Sequence, residues 1–168
     1  MTATSCCSAS TSEPATMKTW FDDLTVGDRM TAEGRYAVKR EETIAFAQAY
    51  DPQLFHLDDA AAEANPVFGR LAASGWHTAA IIGRLTIDHC MQLGLQTLAG
   101  GGVDQLRWLA PVYPGDTLSA EVVITELKPS RSKPDRGAVI CRATGYNQHG
   151  EAVITMLISS IVARQVAD

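Results

Sequence analysis

The sequence predicts an α+β domain in which a curved antiparallel sheet wraps one central helix. Residues 76–92 form one long helical stretch whose first half is apolar on nearly every side, with Ala79, Ala80, Ile81, Ile82, Leu85 and Ile87. A helix with so little polar face must be covered by other structure. After Gly100-Gly101-Gly102 the spacing changes from helical to strand-like and stays so to residue 162. With 168 residues and 46% apolar content, the chain has the size and composition of one globular core.

The elements follow in order. Residues 1–16, MTATSCCSASTSEPAT, are rich in Ser, Thr and Ala and lack both a basic start and a long apolar run, so they read as a disordered leader before a domain over 17–168. Trp20, Phe21, Leu24 and Val26 supply the first buried contacts before a turn at Gly27-Asp28. Residues 30–38 read as a strand interrupted by Gly34. From 41 to 50, Thr43, Phe46, Ala47 and Tyr50 share a helical face, and Glu41 and Glu42 suit the positive end of the helix dipole.

Asp58 is an N-cap for a short helix over 59–64 that Pro66 ends, and an irregular link over 67–74 leads to the central helix. The glycine run reads as a flexible connection to four strands at 103–109, 117–125, 139–146 and 152–162. In the second, Leu118, Ala120, Val122 and Ile124 alternate with polar residues, broken only by Val123. Pro114-Gly115 fits the centre of a type II turn, and residues 147–150 form a hairpin connection.

The totals exclude several function classes. A formal charge of −5 with interspersed signs offers no basic face for nucleic acid. Cysteines at 6, 7, 90 and 141 match no zinc-ligand spacing, so no metal is expected, and a reduced, cytoplasmic protein is the simplest reading. Arg84 and Asp88 interrupt the best apolar run, so no membrane span is expected either.

Chemistry concentrates at 49–58, AYDPQLFHLD. Pro52 disfavours helix at Asp51, so this carboxylate lies at a break with His56 just beyond it. An acid and an imidazole around one bend can hold a water between them, as addition or removal of water at an activated double bond requires.

With YDPQLFHLD at 50–58, ASGWHTAA at 73–80 and LRWLAPVYPGDTL at 106–118, the chain resembles the MaoC-like, or (R)-specific enoyl-CoA hydratase, branch of the hot-dog superfamily. The resemblance runs from about Trp20 to Val162. It implies a single hot-dog domain and a hydratase or dehydratase acting at the 2,3-double bond of an acyl thioester. Asp51 and His56 then fall on the family's acid and histidine, with Asp51 as base and His56 orienting the water, and the Gly75 N–H faces the thioester oxygen. Ser74, Trp76 and Phe68 join the substrate site. Coenzyme A arrives as part of the substrate with no separate cofactor, and two copies form a homodimer whose sheets join edge to edge. The sequence departs from the family pattern at Tyr50, at Gln53-Leu54 with its proline at Pro52, and at Gly83, where many relatives carry a serine. A hot-dog thioesterase and a noncatalytic acyl-binding scaffold are the competing classes.

Other residues have plainer readings. His77 reads first as a packing residue, Arg107 as one half of a structural ion pair, and Trp76, Trp108 and Phe68 as core aromatics before they are tunnel walls. Lys128, Arg131, Lys133 and Arg136 crowd one loop that is either simply solvated or a clamp for coenzyme A phosphates, with Arg131 and Arg136 as its candidate contacts.

Overall fold

Alternation in residues 118–124 becomes the inner wall of a sheet. In a computed structural model, which describes residues 19–165, Leu118, Ala120, Val122 and Ile124 are buried, whereas Ser119, Glu121 and Val123 face the other way. The expected leader, with Cys6 and Cys7, lies outside the described residues.

The described elements are β1 (Arg29–Thr31), β2 (Tyr36–Ala37), α1 (Arg40–Tyr50), α2 (Asp59–Glu63), α3 (Gly75–Gln92), β3 (Thr97–Trp108), β4 (Thr117–Pro129), β5 (Arg136–Tyr146) and β6 (Ala152–Ala163). All pairings are antiparallel, in the order β1-β4-β5-β6-β3, and β2 adds to β4 beside β1. Helix α3 lies on the inner face, where Ile81, Ile82 and Leu85 pack with Leu118, Val122, Ala143, Ile154 and Met156. This is the hot-dog arrangement. Close contact needs glycine below the helix: a Cβ on Gly145 would stand 2.6 Å from Ile82 Cδ1 and 2.8 Å from Ile154 Cγ2.

Two turn expectations hold. Asp116 N–H donates to Tyr113 O at 3.0 Å across Pro114-Gly115, with Gly115 at φ +99°. The β5–β6 hairpin closes through Asn147 N–H to Glu151 O at 3.0 Å. Residues 30–38, by contrast, divide into β1 and β2, two short segments that both pair with β4. Val26 and Tyr50 are exposed rather than buried.

The largest difference is at the glycine run, which is not a flexible link but the first half of β3. A Cβ on Gly101 would meet Ser159 Oγ at 2.8 Å, so a bare backbone is what lets β3 lie against β6. The glycine-rich composition masked this strand because Gly is ordinarily depleted in strands. Strand β3 is the sheet edge and is exposed along almost its whole length. Arg107, within it, is exposed and donates to Leu106 O at 2.9 Å; among the described residues it has no ion-pair partner. Helix α3 is not covered all round, and Trp76, Ile87 and Met91 are exposed.

Filling the space at Gly145 tests the helix-on-sheet contact. Gly145→Ala is expected to destabilise the fold by about 1–3 kcal/mol through overpacking against Ile82. A Tm equal to that of the parent in thermal unfolding would show that α3 does not rest there.

Candidate active site

Helix α1 ends at Tyr50 because Pro52 follows, and Asp51 takes φ −152° and ψ 67°. Its N–H still donates to Ala47 O at 2.9 Å, so the carboxylate leaves a firmly held helix end. A 3-10 turn over Leu54–His56 then carries His56 into the interior, 4% exposed. Beyond it, Asp58 Oδ1 accepts the Ala61 N–H at 2.9 Å and caps α2, as expected.

The second half of the site is the start of α3. Ser74, wholly buried, caps this helix by accepting the Trp76 N–H at 3.2 Å, and its hydroxyl donates to Asp51 Oδ2 at 2.7 Å. Gln53 Nε2 donates to Asp51 Oδ1 at 2.8 Å. Burial pushes the Asp51 carboxyl up, but the Ser74 and Gln53 hydrogen bonds and the attraction of His56 outweigh it and hold the group below its ordinary value. Asp51 is therefore an anion at neutral pH.

His56 is fixed from its other side. Nδ1 lies 2.8 Å from Ala72 O, and a carbonyl can only accept, so Nδ1 carries a proton, which leaves Nε2 as the lone-pair nitrogen whenever the ring is neutral. Nε2 stands 3.6 Å from Asp51 Oδ2. With the ring neutral, Nε2 and the carboxylate are both acceptors, an arrangement suited to a group with two protons to give.

Asp51, His56 and Gly75 share a cavity of about 540 Å³ with Trp76, Phe68 and Trp108. Phe68 stacks on Phe55, and both rings pack on His56. Trp108 lies over the start of α3, where a Cβ on Gly75 would come within 2.4 Å of the indole, so glycine is required there. The Gly75 N–H stands in the first turn of α3, whose leading amides have no partner within the helix.

Some assignments change. Ser74 does not line the cavity; it meets the site through its hydrogen bond to Asp51. Arg131 and Arg136 are not brought to Asp51. They border a separate hollow of about 560 Å³ at the β4–β5 turn, and Arg136 is paired with Asp135 at 2.7 Å. The register shows why: Arg136 pairs with Ala163 at one end of the sheet, whereas Gly145 and Trp108 both oppose Ile154 toward the other, about 30 Å away along β5. His77 is buried against Phe46, with ring centroids 4.8 Å apart, and burial lowers its pKa, in keeping with packing.

Sequence reasoning missed Gln53 as a partner of Asp51 and Thr78 as a cavity residue. Helical spacing carried the second signal, since Thr78 lies one turn beyond Ser74 and donates its hydroxyl to Ser74 O at 3.3 Å. Burial raises the Cys90 thiol and pushes Cys141 up to about 12, so neither is a ready nucleophile. Among the described residues no cluster of His, Cys, Asp and Glu is built to hold a metal ion, and no helix is long and apolar enough to cross a membrane.

Residues 22–146 match the MaoC like domain family. The chain belongs to that family. A MaoC-like dehydratase from Rhodospirillum rubrum is similar in structure, with a TM-score of 0.78 at 40% identity, covering 88% of this chain and 99% of that one. The protein YdeM of Bacillus subtilis (strain 168) is 28% identical over 144 residues, 86% of this chain and 99% of its own length. A mesaconyl-CoA hydratase from Cereibacter sphaeroides is 44% identical over 63 residues, 38% of this chain and 18% of the relative. Membership makes this a chain of hydratase and dehydratase stock.

Removing the Ser74 hydroxyl takes away a hydrogen bond that favours ionised Asp51, so the carboxyl pKa must rise. In Ser74→Ala the Asp51 carboxyl, followed by its infrared carboxylate band, is expected to titrate at higher pH than in the parent. An unmoved titration would deny Ser74 a positioning role.

Proposed function

We propose that this MaoC-like chain adds water to, or removes it from, the 2,3-double bond of an acyl-CoA thioester. The observation that carries this is the pair of acceptors, Asp51 Oδ2 and His56 Nε2, 3.6 Å apart beside the positive end of α3. A water donating one proton to each would turn its oxygen lone pairs toward the substrate. The thioester carbonyl would accept from the Gly75 N–H, where the helix dipole favours the negative charge that develops during addition.

The hydrogen bonds on Asp51 redistribute the two roles expected from the sequence. Donation from Ser74 and Gln53 weakens its carboxylate as a base, while His56 keeps an unshared pair on Nε2. We therefore assign proton removal to His56 and water orientation to Asp51. As the water oxygen bonds to the β-carbon, its proton passes to Nε2 and electrons move to the oxygen at Gly75. The same Nε2 proton then goes to the α-carbon as the carbonyl reforms.

Loss of either group is expected to cost about 10²–10⁴-fold in hydration. The test is to follow loss of the conjugated double bond of crotonyl-CoA and longer enoyl-CoAs, with release of free thiol measured in parallel. Asp51→Asn and His56→Ala should both be severely impaired, with added imidazole restoring part of the activity of His56→Ala only. Hydration persisting in both variants would defeat the assignment, and thiol release without hydration would support a thioesterase.

We further propose that a second copy covers β3. An unpaired edge strand leaves a row of backbone donors and acceptors, and Leu98, Val103, Trp108 and Leu109 add apolar surface there, continued by Trp76 on α3. Trp108 links that edge to Gly75, so the edge and the cavity should be lost together. Val103→Asp is expected to yield a monomer by light scattering with activity reduced at least 10-fold, on the order of one lost hot-spot contact; a monomeric parent protein would overturn the pairing.

A further inference from the structure

The cavity has a direction. Contacts run in sequence from Trp108 over Gly75, through Ser74 to Asp51, then to His56, and on to Phe68, 5.7 Å from the His56 ring. On the hydratase reading, on which this inference rests, the carbonyl carbon sits at Gly75 and the β-carbon at Asp51 and His56. The rest of the acyl chain therefore extends past His56 toward Phe68, while coenzyme A leaves on the Trp108 side.

Val67 and Phe68 line the cavity on one segment, Pro111 and Val112 on another. Two positions beyond Phe68 and one beyond Val112, outside the cavity lining, the exposed Arg70 meets Tyr113, its guanidinium carbon 3.8 Å from the ring centroid. Tyr113 is itself held, its hydroxyl donating to Phe68 O at 3.1 Å and its N–H to Asp116 Oδ2 at 2.8 Å. Among the described residues no carboxylate pairs with Arg70.

We propose that Arg70 determines specificity by taking the free carboxylate of a dicarboxylic acyl thioester. Stacking occupies the flat face of the guanidinium and leaves its edge of N–H donors, the side that binds carboxylate in a two-point fork. A substrate with a second carboxylate would otherwise be repelled by ionised Asp51, and a cation at the acyl end offsets that repulsion. Because the chain must pass Phe68, the carboxylate it meets lies beyond the β-carbon.

The test measures binding and turnover side by side. Calorimetry on the full protein compares succinyl-, glutaryl- and adipyl-CoA with butyryl-, valeryl- and hexanoyl-CoA. At least one dicarboxylic member is expected to bind about 10–100-fold tighter than its monocarboxylic partner, the gain of charge-assisted hydrogen bonds. Arg70→Gln should collapse that ratio toward one, and Arg70→Lys, a point charge without the fork, should restore only part of it.

Equal binding of all pairs by the parent protein overturns the proposal. Equal weakening of both members by Arg70→Gln also overturns it, because the anion read would then be a phosphate of coenzyme A common to all. The unsaturated counterparts are assayed for hydration separately. A preference lost in Arg70→Gln without any hydration would uphold the carboxylate site and refute the hydratase reading.

Discussion

One hydroxyl joins the two halves of the site. Ser74 accepts the Trp76 N–H and donates to Asp51 Oδ2, so the positive end of α3 reaches the carboxylate through a wholly buried side chain. Without a donor there, burial would favour the protonated acid. The same short segment sets the rest of the chemistry, since Ala72 O fixes the tautomer of His56 and Gly75 offers its amide to a carbonyl. Its own anchor is Ala73 N–H, which donates to Val112 O at 2.8 Å and fastens the start of α3 to the strand side of the cavity. Four consecutive residues, 72–75, thus order groups delivered from two separate elements.

Glycine makes that convergence sterically possible. Gly75 lets the Trp108 indole lie on the start of α3, and Gly145 lets Ile82 sink against β5 and β6. A methyl group at the first would push away the wall of the cavity; at the second it would lift the helix that carries the amide. Packing and chemistry are coupled here because one helix serves both, with Ile82 and Leu85 in the core and Gly75 at the reacting end.

Features that depend on neighbours in sequence were legible. Alternation in 118–124, the turn at Pro114-Gly115, the cap at Asp58 and the break before Pro52 each express a local rule, and each stands as expected. Features set by register were not. The bond from Ser74 to Asp51 spans 23 positions, and no pattern within either segment announces it. The basic loop drew attention as a clamp because its charges cluster, yet strand register carries Arg131 and Arg136 to the far end of the sheet. Gly100-Gly101-Gly102 misled in the opposite sense: composition spoke for a link where close approach to Ser159 demands bare backbone.

Gln53 shows why a departure from a family pattern need not be a loss. It replaces part of the expected Asn-Pro pair, and the chain turns there through Gln53 N–H to Asp51 O at 2.7 Å, across Pro52. Its side chain is thereby returned to the same residue, donating to Asp51 Oδ1. Each carboxylate oxygen thus accepts one side-chain hydrogen bond, Oδ1 from Gln53 and Oδ2 from Ser74, and Oδ2 also stands 3.6 Å from His56 Nε2. The substitution therefore keeps the acid in place: donors from two separate segments hold its two oxygens and fix the orientation in which Oδ2 meets the imidazole.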